Sequence, residues 1–189
     1  MKFCSNCGKA VIREVPPGDN RPRFVCRNCA TIHYQNPRVI VGVLPTYEDS
    51  VLLCERDIQP RKGFWTLPAG FLENDESTLE GAIRECQEES MASVVDAKLY
   101  AIYDIPHIRQ VYIFYRARMD NPYFSKTMES SDVRLFVEED IPWEQLAFPV
   151  VAETLTAFFN DRKRGHYDVR YMQINKGWQR PNVVQSRNL

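Results

Sequence analysis

No run of 18 apolar residues occurs in this 189-residue chain, so no segment reads as a membrane-spanning helix. Neither sign of charge is in excess. The 24 Lys and Arg against 25 Asp and Glu leave a formal net charge of −1. A protein that grips nucleic acid mainly through charge carries a basic stripe, so nucleic acid is an unexpected partner. A nucleotide-sized small molecule stays open as a ligand. The first residues, Met1-Lys2-Phe3-Cys4, show neither the apolar stretch of a signal peptide nor an Arg- and Ser-rich transit segment, and a cytoplasmic location is expected. Histidine is scarce and scattered (His33, His107 and His166), with only His107 near a plausible substrate loop. Internal repeats and low-complexity tracts are missing too.

What is present begins with cysteine. Four of the six fall into two Cys-x-x-Cys pairs, Cys4/Cys7 and Cys26/Cys29, with 18 residues between the pairs. A secreted disulfide scaffold would be shorter and would spread its cysteines more evenly, so paired spacing in a reducing compartment points to metal. Two tight turns, each aiming two thiolates at one ion, complete a tetrahedron of sulfur. All four positions are then protein ligands, which suits structural Zn²⁺ and leaves no open coordination site. Free thiols and a DNA-binding ribbon are the competing readings. Residues 1–35 hold too few apolar side chains for a core of their own, and a metal staple answers that shortage. Cys54 and Cys86 sit among apolar neighbours and read as buried, inert thiols.

Apolar residues make up 44% of the chain, enough for a real core in residues 36–189, with a C-terminal tail from about 165. Val39–Leu44 and Val51–Cys54 read as strands joined by a hairpin turn over residues 47–50. Residues 94–103, 110–119 and 132–137 read as further strands, with a last one at 167–174. Residues 77–90 read as a helix opened by a capping box, Ser77 and Glu80, with Leu79, Ala82, Ile83 and Cys86 inward. Residues 150–164 read as a second helix closed by Gly165. This order is not a regular βαβ alternation and predicts an α/β sandwich around a mixed sheet.

The chemistry is concentrated in Gly70-x5-Glu76-x7-Arg84-Glu85-Cys86-Gln87-Glu88-Glu89. On a helix, Glu85, Glu88 and Glu89 fall at i, i+3 and i+4 within one sector, where like charges repel. A divalent cation is the natural compensation. Hard carboxylate oxygens suit Mg²⁺ or Mn²⁺ and leave positions for water and phosphate. A solvated acidic face is the plain alternative. Arg84 is placed to pair with Glu76 and tie the loop to the helix.

This spacing resembles the Nudix box, G-x5-E-x7-R-E-U-x-E-E-x-G-U with U aliphatic. The preceding run Gly63-Phe64-Trp65-Thr66-Leu67-Pro68-Ala69 also resembles what leads into it. Met91 stands where the family has Gly, Ala92 where it has a larger aliphatic residue, Cys86 at the first aliphatic position, and Ala69 for a common Gly. A Cys4 ribbon ahead of such a domain resembles the NADH pyrophosphatase branch, but that branch's Ser-Gln-Pro-Trp-Pro-Phe-Pro signature is absent. Tyr34-Gln35-Asn36-Pro37, Trp65 to Gly70, Asp104-Ile105-Pro106 and Leu146-Ala147-Phe148 are similar to the plant plastid FAD and ADP-ribose pyrophosphatases.

The resemblance implies a Nudix α/β/α sandwich behind a small zinc ribbon. It implies hydrolysis of a nucleoside diphosphate derivative, FAD or ADP-ribose by preference, releasing AMP. Glu85, Glu88 and Glu89 would hold Mg²⁺, with Glu129 or Asp132 reaching the metal or the water. Phe64, Trp65, Tyr103 and Tyr112 are candidates to stack on a flat ring, against a competing role in core packing. A homodimer is the assembly the family suggests. Two rivals stand beside this: an NADH or NAD-cap pyrophosphatase, and a non-catalytic regulator whose ribbon binds DNA.

Overall fold

The computed structural model describes residues 1–177. It divides into two compact units, residues 1–36 and the part that begins at Pro37. The first unit is a three-stranded antiparallel sheet of β1 (Ile12–Glu14), β2 (Arg23–Val25) and β3 (Ile32–His33) in the order β1-β2-β3. Its Cys-x-x-Cys segments form two equivalent turns. Each is followed by a residue with left-handed backbone, Gly8 at φ 73° and Ala30 at φ 57°. Cys4 and Cys26 are buried, and almost nothing else in the unit is.

The second unit is built on a mixed sheet. β4 (Arg38–Tyr47) and β5 (Ser50–Arg56) form a hairpin, flanked by the short β6 (Trp65–Thr66) and β7 (Ala69–Phe71). Then come α1 (Thr78–Ser90), β8 (Val94–Ile105), β9 (Gln110–Met119), β10 (Ser130–Phe136), α2 (Pro149–Arg164) and β11 (Arg170–Gln173). The strand order is β10-β5-β4-β9-β8-β11, with β6 beside β5 and β7 beside β4. β4 runs parallel to β9 and β11 parallel to β8; the other pairs are antiparallel.

Period-two alternation explains why helices cover both faces. Ile40 and Leu44 of β4, with Val51 and Leu53 of β5, face one way and meet Val150, Val151, Leu155, Phe158 and Phe159 around α2. Val41, Val43, Leu52 and Cys54 face the other way and meet Ala82 and Cys86 of α1. A strand apolar at consecutive positions is stable only when both faces are buried. Tyr112 and Phe114 share the α2 side, and Tyr115 packs on the α1 side.

Helix α1 starts where its sequence says it should. Ser77 accepts from the Glu80 amide, and the Glu80 carboxylate accepts from the Ser77 amide. Its inward face differs from the expectation at one position. Ala82 and Cys86 are buried together with Glu85 and Glu89, whereas Ile83 is 37% exposed. The apolar stripe misled because this helix buries carboxylates. Burial pushes the Cys54 thiol up and the Cys86 thiol up to about 12, which keeps both inert. In segment 165–177 Gly165 closes α2, β11 pairs with β8 over Ala101–Asp104, and Arg170 holds the buried Asp161 to which the Tyr100 hydroxyl donates. Residues 178–189 lie outside the described part.

Helix α1 ends on Met91 at φ 59°, a left-handed cap that glycine adopts without cost. Met91 is 41% exposed, so its side chain contributes little burial. Met91→Gly is expected to stabilise the second unit by about 1 kcal/mol, raising its Tm by roughly 2–4 °C. An unchanged or lower melting temperature by circular dichroism would show that the methionine side chain outweighs the backbone strain.

Candidate functional site

Two sites are built. In the first unit the four sulfur atoms lie within 4.8 Å of one another, the one such thiol or acid cluster among the described residues. Cys4 Sγ is 3.6 Å from Cys29 Sγ, and Cys7 Sγ is 3.5 Å from Cys26 Sγ. Four sulfurs at a Zn–S length of about 2.3 Å stand roughly 3.8 Å apart, so these thiols converge as a tetrahedral zinc site requires. The two turns cross-brace each other. Asn6 of the first donates to Cys29, and Asn28 of the second donates to Cys7. His33 Nε2 stands 3.3 Å from Cys4 Sγ. Hydrogen bonds from the Thr31 hydroxyl and backbone pull the Cys29 thiol down to about 6, toward the thiolate a metal needs.

In the second unit, α1, β5, β7 and the start of β9 border a cleft of about 590 Å³, a volume that suits a nucleotide-sized ligand. One side is acidic: Glu73, Glu85, Glu88, Glu89 and Glu129 line it. The cleft's apolar lining includes Ile40, Ile58, Ile108, Tyr112, Phe114 and Phe148, and Arg56, Gln59 and Gln110 line it as well.

The acidic side is organised by Arg84. Its Nε and Nη2 donate to both oxygens of Glu76 at 3.0 and 2.8 Å, and Nη2 also reaches the Phe71 carbonyl. Nη1 donates to Glu85 at 2.8 Å and Glu88 at 2.9 Å. The Arg84 bond and the Glu73 amide hold the Glu76 carboxyl down to about 2. Gly70 makes room for this: a Cβ there would fall 2.2 Å from Glu85 Oε2. Glu89 accepts from the Ala69 amide at 3.1 Å. Glu85 and Glu89 are buried, and the Glu88 side chain is 58% exposed.

Two buried carboxylates and one exposed, all hard oxygen donors on one cleft wall, fit a Mg²⁺ or Mn²⁺ ion shared with phosphate oxygens. Burial pushes the Glu85 carboxyl up and the Glu89 carboxyl up to about 8, with the neighbouring acids adding to the effect.

The other sequence candidates separate. Glu129 lines the cleft, and its charge is felt by Glu85 and Glu89. Asp132 does not line it. Despite the cost of burial, Arg134, which pairs with it, holds its carboxyl below the usual range, and Lys126 lies 3.6 Å away. Of the four aromatic candidates only Tyr112 borders the cleft. Trp65 is buried edge-on against Phe136 at 4.9 Å, and Tyr103 is buried with its hydroxyl accepting from Thr154. Half-buried Phe64 lies under Arg61. These three lie outside the lining of the cleft. Sequence reasoning missed Arg56, Gln59, Gln110 and Phe148. Only their position before the glycine-rich run, or at the edge of an apolar segment, hinted at them.

The raised Glu89 carboxyl has a consequence for pH. Without a divalent ion, the stability that its proton contributes is full below about 4.5 and is lost as pH rises through about 8. Mg²⁺ binds the ionised form, so its stabilising effect grows across that window. The rise in Tm on adding the same fixed Mg²⁺ concentration is expected to be several-fold larger at pH 8.5 than at pH 6, and equal shifts would contradict it. For the thiol cluster, elemental analysis should find about one zinc per chain. Cys26→Ser should release it and loosen the first unit before the second; zinc-free native protein with four freely titrating thiols would refute the assignment.

Comparison with known proteins agrees with this geometry. Residues 2–35 match the family described as Nudix N-terminal, a zinc ribbon, and residues 36–157 match the NUDIX domain. An NAD-capped RNA hydrolase of Schizosaccharomyces pombe is 30% identical over 158 residues, 74% of this chain and 41% of that protein. The NAD-capped RNA hydrolase NudC of Photobacterium profundum is 31% identical over 103 residues, 53% of this chain and 36% of that protein. The chain thus spans about two fifths of the length of these curated relatives. A crystal structure of a NUDIX hydrolase from Nitrosomonas europaea superposes with a TM-score of 0.90 at 49% identity, covering 93% of this chain and all of that one. The box residues, the mixed sheet between two helices and these matches together place the chain in the Nudix family, with a zinc-ribbon unit at its N-terminus.

Proposed function

We propose that this protein is a divalent-cation-dependent pyrophosphatase acting on a dinucleotide, with NAD(H), free or as an RNA cap, as the leading substrate. The observation that carries the reaction class is the set of Glu85, Glu88, Glu89 and Glu129 lining one cleft together with apolar residues. A bound Mg²⁺ supplies charge neutralisation and Lewis acidity at the phosphoryl group. Glu85, Glu88 and Glu89 are the residues that would hold it. Glu129, exposed in the same cleft, is the side chain placed to orient or deprotonate an attacking water. The apolar lining excludes water around the ring of the substrate, with Tyr112 as an aromatic member.

Support for a nicotinamide dinucleotide comes from the relatives named as NAD-capped RNA hydrolases. Those relatives also return a capped RNA end to the candidates, which the near-neutral charge had argued against. FAD or ADP-ribose is the second reading, favoured by the missing Ser-Gln-Pro-Trp signature. An ADP-ribose pyrophosphatase of Streptococcus suis, 23% identical with a TM-score of 0.60, supports the shared fold alone.

Turnover of NADH, NAD-capped RNA, FAD and ADP-ribose at equal Mg²⁺ separates these readings. The expected order puts a nicotinamide substrate first in kcat/KM, and a tenfold preference for FAD or ADP-ribose would reverse it. Glu88→Gln keeps the size of the side chain and removes a ligand charge. It should fold normally and lose two or more orders of magnitude in kcat, about 3 kcal/mol of transition-state stabilisation. Near-wild-type Mg²⁺-dependent turnover in folded Glu88→Gln would defeat the hydrolase assignment. Tight, salt-sensitive binding of DNA without hydrolysis would instead favour the regulator.

A further inference from the structure

One buried charge in the cleft has no counterpart. Arg56 closes β5 and is 9% exposed. Among the described residues its guanidinium has one hydrogen-bonding partner, the Pro60 carbonyl, which takes the Nε proton at 2.9 Å. The group stands over the Phe148 ring, 5.2 Å from its centroid. No carboxylate pairs with it, although the acidic wall is close enough for Glu89 to feel its charge. The less buried Arg84 and Arg170 are matched, to three glutamates and to Asp161, and half-buried Arg116 stands over the Tyr167 ring.

Burying a guanidinium with most of its donors unmet is costly, and such groups are normally paired. The Pro60 carbonyl and the Phe148 ring fix the plane of Arg56 while leaving its Nη donors without a protein partner. A planar fork of this kind matches the oxygens of a phosphate. Its place in the cleft sets which phosphate. Arg56 lines the same cleft as Glu85, Glu88 and Glu89, and its charge reaches Glu89, so a phosphoryl group held there is the neighbour of the one at the carboxylates. We propose that Arg56 is a metal-independent anchor for the second phosphate of a diphosphate ligand, selecting diphosphates over monophosphates and setting which end of the substrate points to the apolar lining. This rests on the pyrophosphatase reading for its role in turnover, but the anion site itself does not.

The test uses full-length protein, with its own zinc, in buffer freed of other divalent ions without a chelator. Inorganic pyrophosphate should bind, read by calorimetry and by a rise in Tm, and phosphate should bind at least tenfold more weakly. Arg56→Gln should abolish pyrophosphate binding. In turnover it should raise KM at least tenfold with a smaller fall in kcat, because the anchor acts on the bound substrate and the metal site is left in place. Arg56→Lys keeps a cation but not the fork, and a several-fold rise in KM is expected; it also serves if Arg56→Gln fails to fold. Pyrophosphate binding by folded Arg56→Gln equal to wild type would overturn the proposal, as would a wild-type KM in Arg56→Lys. Wild-type protein that binds pyrophosphate but hydrolyses no dinucleotide would defeat the proposed function and leave the anchor standing.

Discussion

Placing negative charge inside the protein is the constraint around which the second unit is arranged. Helix α1 buries Glu85 and Glu89 on the face that would ordinarily be apolar. Isolated carboxylates in such a place are strongly disfavoured as ions. Three features offset the cost. Gly70 leaves the space of a side chain for Glu85. The Ala69 amide donates to Glu89. Arg84 spreads one guanidinium over Glu76, Glu85 and Glu88. Removing Arg84 would leave the loop before α1 unpinned and two acids uncompensated, so its role is architectural before it is electrostatic.

The sheet serves the same end. β7 pairs with β4 across Ile40–Phe71, Val41–Gly70 and Gly42–Ala69, which carries the glycine to the helix face where Glu85 needs it. β4 is itself clamped by β9 in parallel register over nine residue pairs, and that strand delivers Tyr112 and Phe114 to the cleft. The acids of helix α1 and the apolar residues Ile40, Tyr112 and Phe114 of β4 and β9 are therefore tied to one sheet. A site held on strands and a capped helix is fixed more closely than one carried on loops.

Much of this was legible in the sequence because it follows from period and spacing. The β-branched and Leu-rich runs Val39–Leu44 and Val51–Cys54 announced strands, and Ser77 with Glu80 announced the helix start. The paired cysteines announced a thiol cluster because a metal staple answers the shortage of apolar side chains in that segment. Legibility failed where long-range packing decides. Ile83 satisfies the helical stripe yet lies outside it, because the stripe was drawn through apolar residues while the helix buries acids. Trp65 and Tyr103 have the chemistry of ring-stacking residues, but only tertiary contacts show that Phe136 and Thr154 have already claimed them.

The loop acids show the same limit more sharply. Glu129 and Asp132 lie three residues apart around the start of one strand, and the sequence separates them only by the shorter side chain of Asp132. The strand pairing does. β10 carries an irregularity between Ser130 and Asp132 in its register with β5, and beyond it Asp132 is committed to Arg134 and Lys126. Glu129 stays on the cleft side, where its charge reaches Glu85 and Glu89. An acid already neutralised by two cations is a poor base and a poor ligand. An acid facing two others is held in place only by what the cleft binds. The different surroundings of these two acids thus coincide with an irregularity in an edge strand.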